Sequence, residues 1–303
     1  MMRRGVALLI TLFFVILLSV ALGFMLQNLN EVKKVAQKEE LLVQSSAILY
    51  DVLALLKNSK EIQAVLEEKS PQALYGFIAA SSVIPLTVEE YNIIIKIKSA
   101  RNRLNINNLL TKEKKINEPF NKAFITYLQR HGVENVFVDI CLDCMGGVNE
   151  NQFYRSDIFE QNPELFRDYI ASREHLEKIA MYYMQRYRDD IFKKIDFNHL
   201  FVYNKERNLP IDLNYATVAS WEFMLGCSTQ RAQQLAQQGG SYSKVEDLGL
   251  TQEEVKKLQK FQISFFEPIV EVSVLIQTQH NYAKIIFTYN LEDKKVSDFI
   301  YEL

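Results

Sequence analysis

The chain has 303 residues, which allows one large domain or two ordinary ones. Its composition, with 48% hydrophobic and 24% charged residues, is that of a globular protein and argues against a disordered chain. A net charge of −2 argues against a dedicated nucleic-acid-binding protein, and three cysteines exclude a disulfide-dense scaffold. Only ten Gly and six Pro are present, which favours long helices.

The N-terminus is predicted to form a membrane helix. Residues 6–26 carry no charge and as a helix measure about 30 Å, close to the thickness of a bilayer core. Arg3 and Arg4 precede this run and the next basic residue is Lys33, so the positive-inside rule places the N-terminus in the cytoplasm and the remainder outside. The run is long for a cleaved secretory signal and lacks an Ala-x-Ala exit, whereas an uncleaved anchor over residues 6–27 fits it.

The junction in front of this run permits another interpretation. Gly5 directly precedes Val6, and a basic leader that ends in Gly before an apolar helix resembles a class III signal of the type IV pilin kind. Prepilin peptidase cuts such signals after the Gly. Residues 1–5 would then be a leader peptide, and Val6 would be the first residue of the mature chain.

The membrane segment is predicted to continue into an amphipathic helix, giving one element of about 50 residues. Residues 33–57 contain neither Pro nor Gly. Apolar residues recur seven apart within them, and neighbours widen the stripe, which is expected to pack on a core. The stripe comprises Val35, Leu42, Leu49 and Leu56, widened by Val32, Val52 and Leu53.

Strand patterns lie at both ends of the remaining chain. Residues 91–99, 270–277 and 282–289 alternate apolar and polar side chains, and a short last strand is expected at 299–303. The sequence between these strands has helical patterns, and helices are expected at 117–130, 162–172, 173–195, 217–225, 228–240 and 251–261.

This layout predicts an α+β fold in two parts. Residues 28–104 plus 266–303 would form a discontinuous domain with the sheet. Residues 105–265 would be an inserted α-helical domain.

Four segments, in their order along the chain, resemble the K-type minor pseudopilins of bacterial type II secretion systems. The segments are 3–10, 104–110 (Leu-Asn-Ile-Asn-Asn-Leu-Leu), 172–176 (Ser-Arg-Glu-His-Leu) and 211–217 (Ile-Asp-Leu-Asn-Tyr-Ala-Thr). The chain departs from the family pattern at Asp212, where Asn is usual, at 215–217, where the family has Thr-Ala, and at His175, where Glu is usual.

The resemblance implies a long pilin-type helix packed on a small antiparallel sheet, with a large inserted all-α domain that contains a helix-hairpin-helix-like unit. It also gives Ile10 a meaning. Pilins and major pseudopilins have Glu at the fifth mature residue, whereas the K type has an apolar residue there. An unpaired carboxylate in a bilayer is costly, so a subunit with Ile10 suits a filament tip with nothing above it. Ile10 can equally be one more apolar residue of an anchor.

Function and partners are likewise implied by the resemblance. The chain would be a non-enzymatic tip subunit that nucleates and caps the pseudopilus for export of folded proteins. Its partners would be the I- and J-type minor pseudopilins, the major pseudopilin, prepilin peptidase, which also methylates such chains, and the inner-membrane assembly platform. The alternatives are a tip minor pilin of a type IV pilus or competence system, and a membrane-anchored periplasmic binding module that uses a helical hairpin.

Cys141 and Cys144 form a Cys-x-x-Cys pair. Zinc needs about four ligands, and the third cysteine, Cys227, is far away in sequence. In an oxidising periplasm a local disulfide that pins the loop before Gly146 is favoured, with free thiols and metal or redox chemistry as the alternatives.

Asp139 and Asp143 flank the same segment, with Asn149 and Glu150 further on. K-type relatives can bind calcium through an acidic loop in the α domain, which makes these two aspartates calcium candidates. The spacing of a calcium loop is absent, and a solvated acidic loop is the favoured interpretation.

Residues 225–228 (Leu-Gly-Cys-Ser) form the turn of a helical hairpin that resembles helix-hairpin-helix modules. Binding of DNA by such a turn requires nearby basic residues, and only Arg231 is close. A structural or protein-binding hairpin is therefore favoured, and nucleic acid is not an expected partner.

Overall fold

The structure, a computed structural model, describes residues 32, 35–36, 38–88, 91–147, 154–278 and 281–302. The predicted leader and membrane helix, residues 1–5 and 6–27, lie outside these residues. Among the helices of the described residues, none is both long enough and apolar enough to cross a bilayer.

A five-stranded antiparallel sheet occupies one part of the molecule. In the order in which they pair, its strands are β1 (Ile84–Val88), β2 (Tyr91–Ser99), β7 (Ile269–Gln277), β8 (Tyr282–Asn290) and β9 (Val296–Glu302). Alternate residues of β2 and β7 face the same side, with Ile95 opposite Val274 and Ile97 opposite Val272. These side chains are buried, as the period of two predicts.

Within the described residues, three helices precede and cover this sheet: α1 (38–58), α2 (Lys60–Glu68) and α3 (Pro71–Ala80). The side chains of Ser59 and Ser70 accept hydrogen bonds from backbone N–H groups in the first turns of α2 and α3. Pro71 stands at the first position of α3, where its missing N–H costs nothing. Leu41, Val52, Leu56, Leu74 and Ile78 join the buried sheet residues in one cluster.

The chain between β2 and β7 is mostly helical. Its helices are α4 (Glu118–Arg130), α5 (Val136–Met145), α6 (Ile158–Gln161), α7 (Arg173–Tyr187), α8 (Ile191–Lys194), α9 (Phe197–Leu200), α10 (Val218–Leu225), α11 (Thr229–Gln237) and α12 (Gln252–Leu258). Two 3-10 helices cover Ile106–Leu109 and Val245–Leu248. Two parallel pairs of short strands tie the segment together: β3 (Leu104–Asn105) with β4 (Phe201–Val202), and β5 (Ile211–Asp212) with β6 (Ile263–Ser264).

Interlocking aromatic rings form the centre of this helical part. Phe124 contacts Phe137, Phe201 and Phe223, with ring centroids 5.3 to 6.2 Å apart. Phe120 packs on Phe223 from the other side at 5.0 Å. These rings bring α4, α5, β4 and α10 together in a buried cluster separate from that of the sheet.

The α+β prediction is confirmed, and the strands predicted at 91–99, 270–277 and 282–289 are present. The domain boundaries at 104/105 and 265/266 stay a prediction. The helix predicted at 162–172 is wrong, because Asn162 caps the end of α6 instead of opening a new helix. The helix predicted at 173–195 ends at Tyr187, since Arg188 adopts a left-handed conformation with a φ of 54°.

Candidate functional site

The apolar stripe of α1 is only partly used for packing on the sheet. Leu56 is buried as expected, but Val35 is 57% exposed and Leu42 is 45% exposed. The expectation that the whole stripe packs on a core is therefore wrong at its N-terminal end. Exposed apolar side chains continue along the helix to Tyr50 and Leu55. At about 100° per residue, Leu55 lies about 140° around the helix from Tyr50, so these side chains do not form one surface. Leu55 is the one that borders a groove, and this side of α1 is a candidate site for a partner.

A groove lies beside the C-terminal half of α1. It has a volume of about 900 Å³ and is bounded by α1, α2, the start of β1 and the face of β2. Apolar side chains from five elements, α3 among them, line it, including Leu55, Ile62, Phe77, Leu86 and Ile95.

Polar residues in the groove are concentrated where α1 ends and α2 begins, at Asn58, Ser59, Lys60 and Glu61. This arrangement suits the apolar side of a helix or strand from another protein. We call this groove, with the exposed side chain of Leu55 at its border, the α1 face.

Strand β1 extends the α1 face along the edge of the sheet. It pairs with β2 on one side and lies at one end of the strand order, and Leu86 and Val88 are exposed on it. An edge strand presents unpaired backbone groups to a partner. Strand β1 is not among the strands predicted from the sequence, although Pro85 within an apolar run is a signal for an edge strand.

The helical hairpin forms as predicted but is engaged within the protein. Gly226 ends α10 with a φ of 57°, and Ser228 caps α11 by accepting from the Arg231 N–H. The Arg231 guanidinium pairs with Glu254 at 3.4 Å and donates to the Gly249 carbonyl. The basic side chain that DNA phosphates would require is thus committed to α12 and the loop before it.

Cys141 and Cys144 lie on α5 rather than in a loop, and both side chains are buried. In the structure they are free thiols, so the bridge favoured from the sequence stays a prediction. Burial raises the pKa of both thiols well above the usual range. A thiol held neutral is a poor nucleophile and a poor metal ligand, which disfavours the redox and metal alternatives.

The two calcium candidates are occupied by protein donors. Asp139 pairs with the Arg155 guanidinium. Asp143, which is buried, accepts hydrogen bonds from the Arg155 and Ser156 backbone N–H groups and from the Ser156 hydroxyl. No three His, Cys, Asp or Glu residues come together as a metal site within the part of the chain that the structure describes. These two aspartates are therefore placed as anchors for the turn at 155–156; Asn149 and Glu150 lie outside the described residues.

The segment at 104–110 has a structural role. Asn105 donates to the carbonyls of Asn204 and Glu206, at 2.9 and 2.6 Å. Asn107 donates to Ile170 and Asn204 and accepts from the Ile170 N–H. These buried amides thereby tie two distant loops to the start of the helical part.

The segment at 211–217 fixes the point where the helical part meets the sheet. Asn214 donates to the Tyr242 and Phe265 carbonyls and accepts from the Gly240 and Tyr242 N–H groups, all within 3.0 Å. Asp212 accepts from the Asn214 N–H at 3.0 Å and the Glu267 N–H at 3.0 Å. Burial raises the pKa of this carboxyl to about 6.

The predicted processing residues Gly5 and Val6, and Ile10 with them, lie outside the described residues. Their roles stay predictions.

Neither a protein-family model nor a curated protein sequence matches the chain. Among solved structures, a chain of the crystal structure of the GspK-GspI-GspJ complex from the enterotoxigenic Escherichia coli type 2 secretion system is similar to it. The TM-score is 0.59 at 12% identity, and the match covers 90% of this chain and 99% of that chain. The resemblance predicted from the sequence is thus confirmed as a likeness of fold that spans both chains almost completely.

Proposed function

We propose that this protein is a K-type minor pseudopilin of a type II secretion system. The observation that carries the proposal is the likeness of fold over 90% of the chain to a chain of a complex of three secretion-system proteins. The exposed α1 face supports it, because a subunit that acts by assembly needs such a surface. The protein would act through binding to partners and would catalyse no reaction.

In this proposal the α1 face receives another minor pseudopilin, of the I or J type. The apolar groove and the exposed edge of β1 offer side-chain and backbone contacts to a neighbouring helix or strand. The helical part contributes none of its described residues to the groove and would occupy the tip of the pseudopilus. From there the assembly, built on the major pseudopilin and the inner-membrane platform, would export folded proteins.

Residues 6–27 would anchor the chain in the inner membrane, with the remainder in the periplasm. Prepilin peptidase would cut between Gly5 and Val6. Ile10 would leave the tip subunit without the carboxylate that draws another subunit above it. Mass spectrometry of the chain co-expressed with prepilin peptidase tests the processing step, and retention of residues 1–5 would contradict it.

Assembly is tested by co-purification with the I- and J-type minor pseudopilins of the same cell. Leu55→Glu places a charge at the border of the α1 face, where Leu55 is 63% exposed, so folding should be unaffected. We expect recovery of the partners to fall about tenfold, because an unpaired charge is costly in an apolar contact.

Met181→Glu is the matched control for this experiment. Met181 lies on α7 and is 51% exposed, so the same charge is introduced away from the α1 face. Recovery of the partners should stay at the wild-type level. Equal losses in the two variants would contradict the α1 face as the interface.

A further inference from the structure

A second cleft, which the assembly role does not use, lies on the helical part. It has a volume of about 560 Å³, within the range of about 300–1,000 Å³ usual for binding sites. Three loops line it: the one after the 3-10 helix at 106–109, the one before α7, and the one after β4. Sequence distances of about 40 to 95 residues separate these loops, so only the fold brings them together.

The cleft is charged. Lys112, Lys114, Lys205 and Arg207 line it with only two acidic residues, so its net charge is positive while that of the whole chain is −2. Of these four cations, only Lys114 forms a salt bridge within the described residues, with Asp168 at 2.6 Å. The positive charge of the other three is therefore available to a ligand.

Several cations act on the same point. The hydrogen bond from Lys114, together with the charges of Lys114, Lys205 and Arg207, holds the pKa of Asp168 below its usual value. The Lys205 ammonium also lies 5.6 Å from the centre of the Tyr169 ring. The cleft thus combines converging positive charge with an aromatic surface.

Arg207 is incompletely satisfied. Its Nη1 donates to the Thr111 carbonyl at 2.8 Å, whereas its Nε is buried without a hydrogen-bond partner among the described residues. Burial lowers the pKa of this guanidinium, because its charge is partly removed from water. A bound anion would compensate that cost.

The cleft is preorganised. Asn105 and Asn107 hold the loop after β4 and the loop before α7 by their amide groups. Asn108 accepts from the Asn208 N–H at 2.8 Å, directly beside Arg207. Loops fixed in this way lose little entropy when a ligand binds, which favours recognition.

We propose that this cleft binds an acidic segment of a partner polypeptide. Side-chain carboxylates, each with a single charge, match a site in which Asp168 and Glu206 accompany the four cations. The same two acids disfavour phosphate groups, whose charge is higher. The open shape suits an extended peptide, and Tyr169 offers an apolar contact to its backbone or side chains.

Fluorescence anisotropy tests this proposal on the full-length protein in detergent. The probe is a fluorescein-labelled decapeptide of alternating Asp and Gly, and the comparison peptide has Asn in place of Asp. We expect the Asp peptide to bind in a salt-sensitive manner and the Asn peptide to bind at least about tenfold more weakly. Equal binding of the two peptides would overturn the proposal.

The pair Lys112→Glu and Lys205→Glu reverses two exposed charges of the cleft, and we expect it to weaken binding of the Asp peptide about tenfold or more. The matched pair Lys193→Glu and Lys295→Glu gives the same net charge at side chains that are 83% and 78% exposed and do not line the cleft. It should bind like the wild type. Equal losses in the two pairs would overturn the assignment of the site.

Two further measurements distinguish an acidic peptide from phosphate and from anionic lipid as the ligand of the cleft. Inorganic phosphate should displace the Asp peptide no better than sodium sulfate of equal ionic strength, and vesicles of phosphatidylglycerol and phosphatidylcholine should not retain the protein through Lys112 and Lys205. Stronger displacement by phosphate, or vesicle binding that the cleft pair abolishes, would overturn the choice of a peptide.

Discussion

At the scale of single residues, Asp212 couples the stability of the fold to pH. Its carboxyl is fully buried, and burial raises its pKa from 3.8 to about 6. Between about pH 4 and pH 6 the folded chain therefore keeps a proton that the unfolded chain has lost. The contribution of this group is fully present below about pH 4 and is lost as the pH rises to about 6.

Asp212→Asn should remove this pH dependence. We expect the free energy of unfolding of the wild type to lose about 2 kcal/mol more than that of the variant between pH 4 and pH 7. Urea unfolding at a series of pH values measures the difference. The lost acceptor at the Glu267 N–H lowers the overall stability of the variant, whereas the change with pH reports the titration of Asp212. An unchanged slope would contradict the assignment.

Asn214 contributes to the stability of the fold through hydrogen bonds to backbone groups. Its side chain satisfies four backbone groups. Asn214→Ala leaves them without partners, and at about 1–3 kcal/mol for a buried unsatisfied group we expect a loss of at least about 3 kcal/mol. Chemical denaturation measures it, with the exposed Asn198→Ala as the control that should change stability by less than about 0.5 kcal/mol.

The three cysteines permit a direct count of thiols. Alkylation of the denatured protein without a reductant should add three groups, because the structure has three free thiols. In the native protein Cys141 and Cys144 should resist the reagent, since they are buried and their pKa values are raised. A single adduct after denaturation would instead establish the bridge favoured from the sequence.

At the scale of elements, the sequence predicts a strand or helix correctly where the segment's own residue pattern determines its structure. Strands β2, β7 and β8 alternate apolar and polar residues, and α12 carries the capping box of Thr251 and Glu254. Such patterns reflect burial on one side and were read correctly from the sequence.

Other elements depend on distant contacts. The cysteines and aspartates of residues 139–144 predict a loop, but these residues form helix α5, whose side chains are buried almost all round. The segment after Asn162 was interpreted as a helix, but the Ile170 N–H and carbonyl bind Asn107, far away in sequence. The residue pattern of a short segment does not show which distant residues will bind it.

The candidate sites show the same division. The hairpin and the Cys-x-x-Cys pair are local and were located from the sequence. The α1 face and the charged cleft each combine residues from three or more separate elements, and only the fold reveals them. The exposure of Val35 and Leu42 was missed because a heptad stripe does not say how much of its length has a partner.

At the scale of the whole molecule, the two buried clusters meet through a close contact. Tyr75 on α3 stacks on Tyr215 with ring centroids 5.6 Å apart. Gly240, after α11, lies against the same ring, and a Cβ built on it would come within 2.6 Å of the Tyr75 ring. The sheet part and the helical part can therefore approach this closely only because Gly240 has no side chain.

Gly240→Ala should separate these surfaces. The residue has a φ of 90°, which already costs Ala about 1 kcal/mol, and the clash with a rigid ring adds about 1–3 kcal/mol. Gly226→Ala is the matched comparison, because its φ is 57° and the nearest atom to its Cβ is the Lys257 Nζ at 3.8 Å, an ordinary van der Waals distance. We expect the second variant to lose only about 1 kcal/mol in urea unfolding.

Tyr75→Ala isolates the contact in a double-mutant cycle. Removal of the ring creates room for the new methyl group, so the cost of Gly240→Ala should fall to the roughly 1 kcal/mol that its backbone conformation imposes. Tyr75→Ala alone also loses the stacking on Tyr215, and the cycle subtracts that loss. A cost of Gly240→Ala that is the same with and without the ring would show that the two parts do not meet at this point.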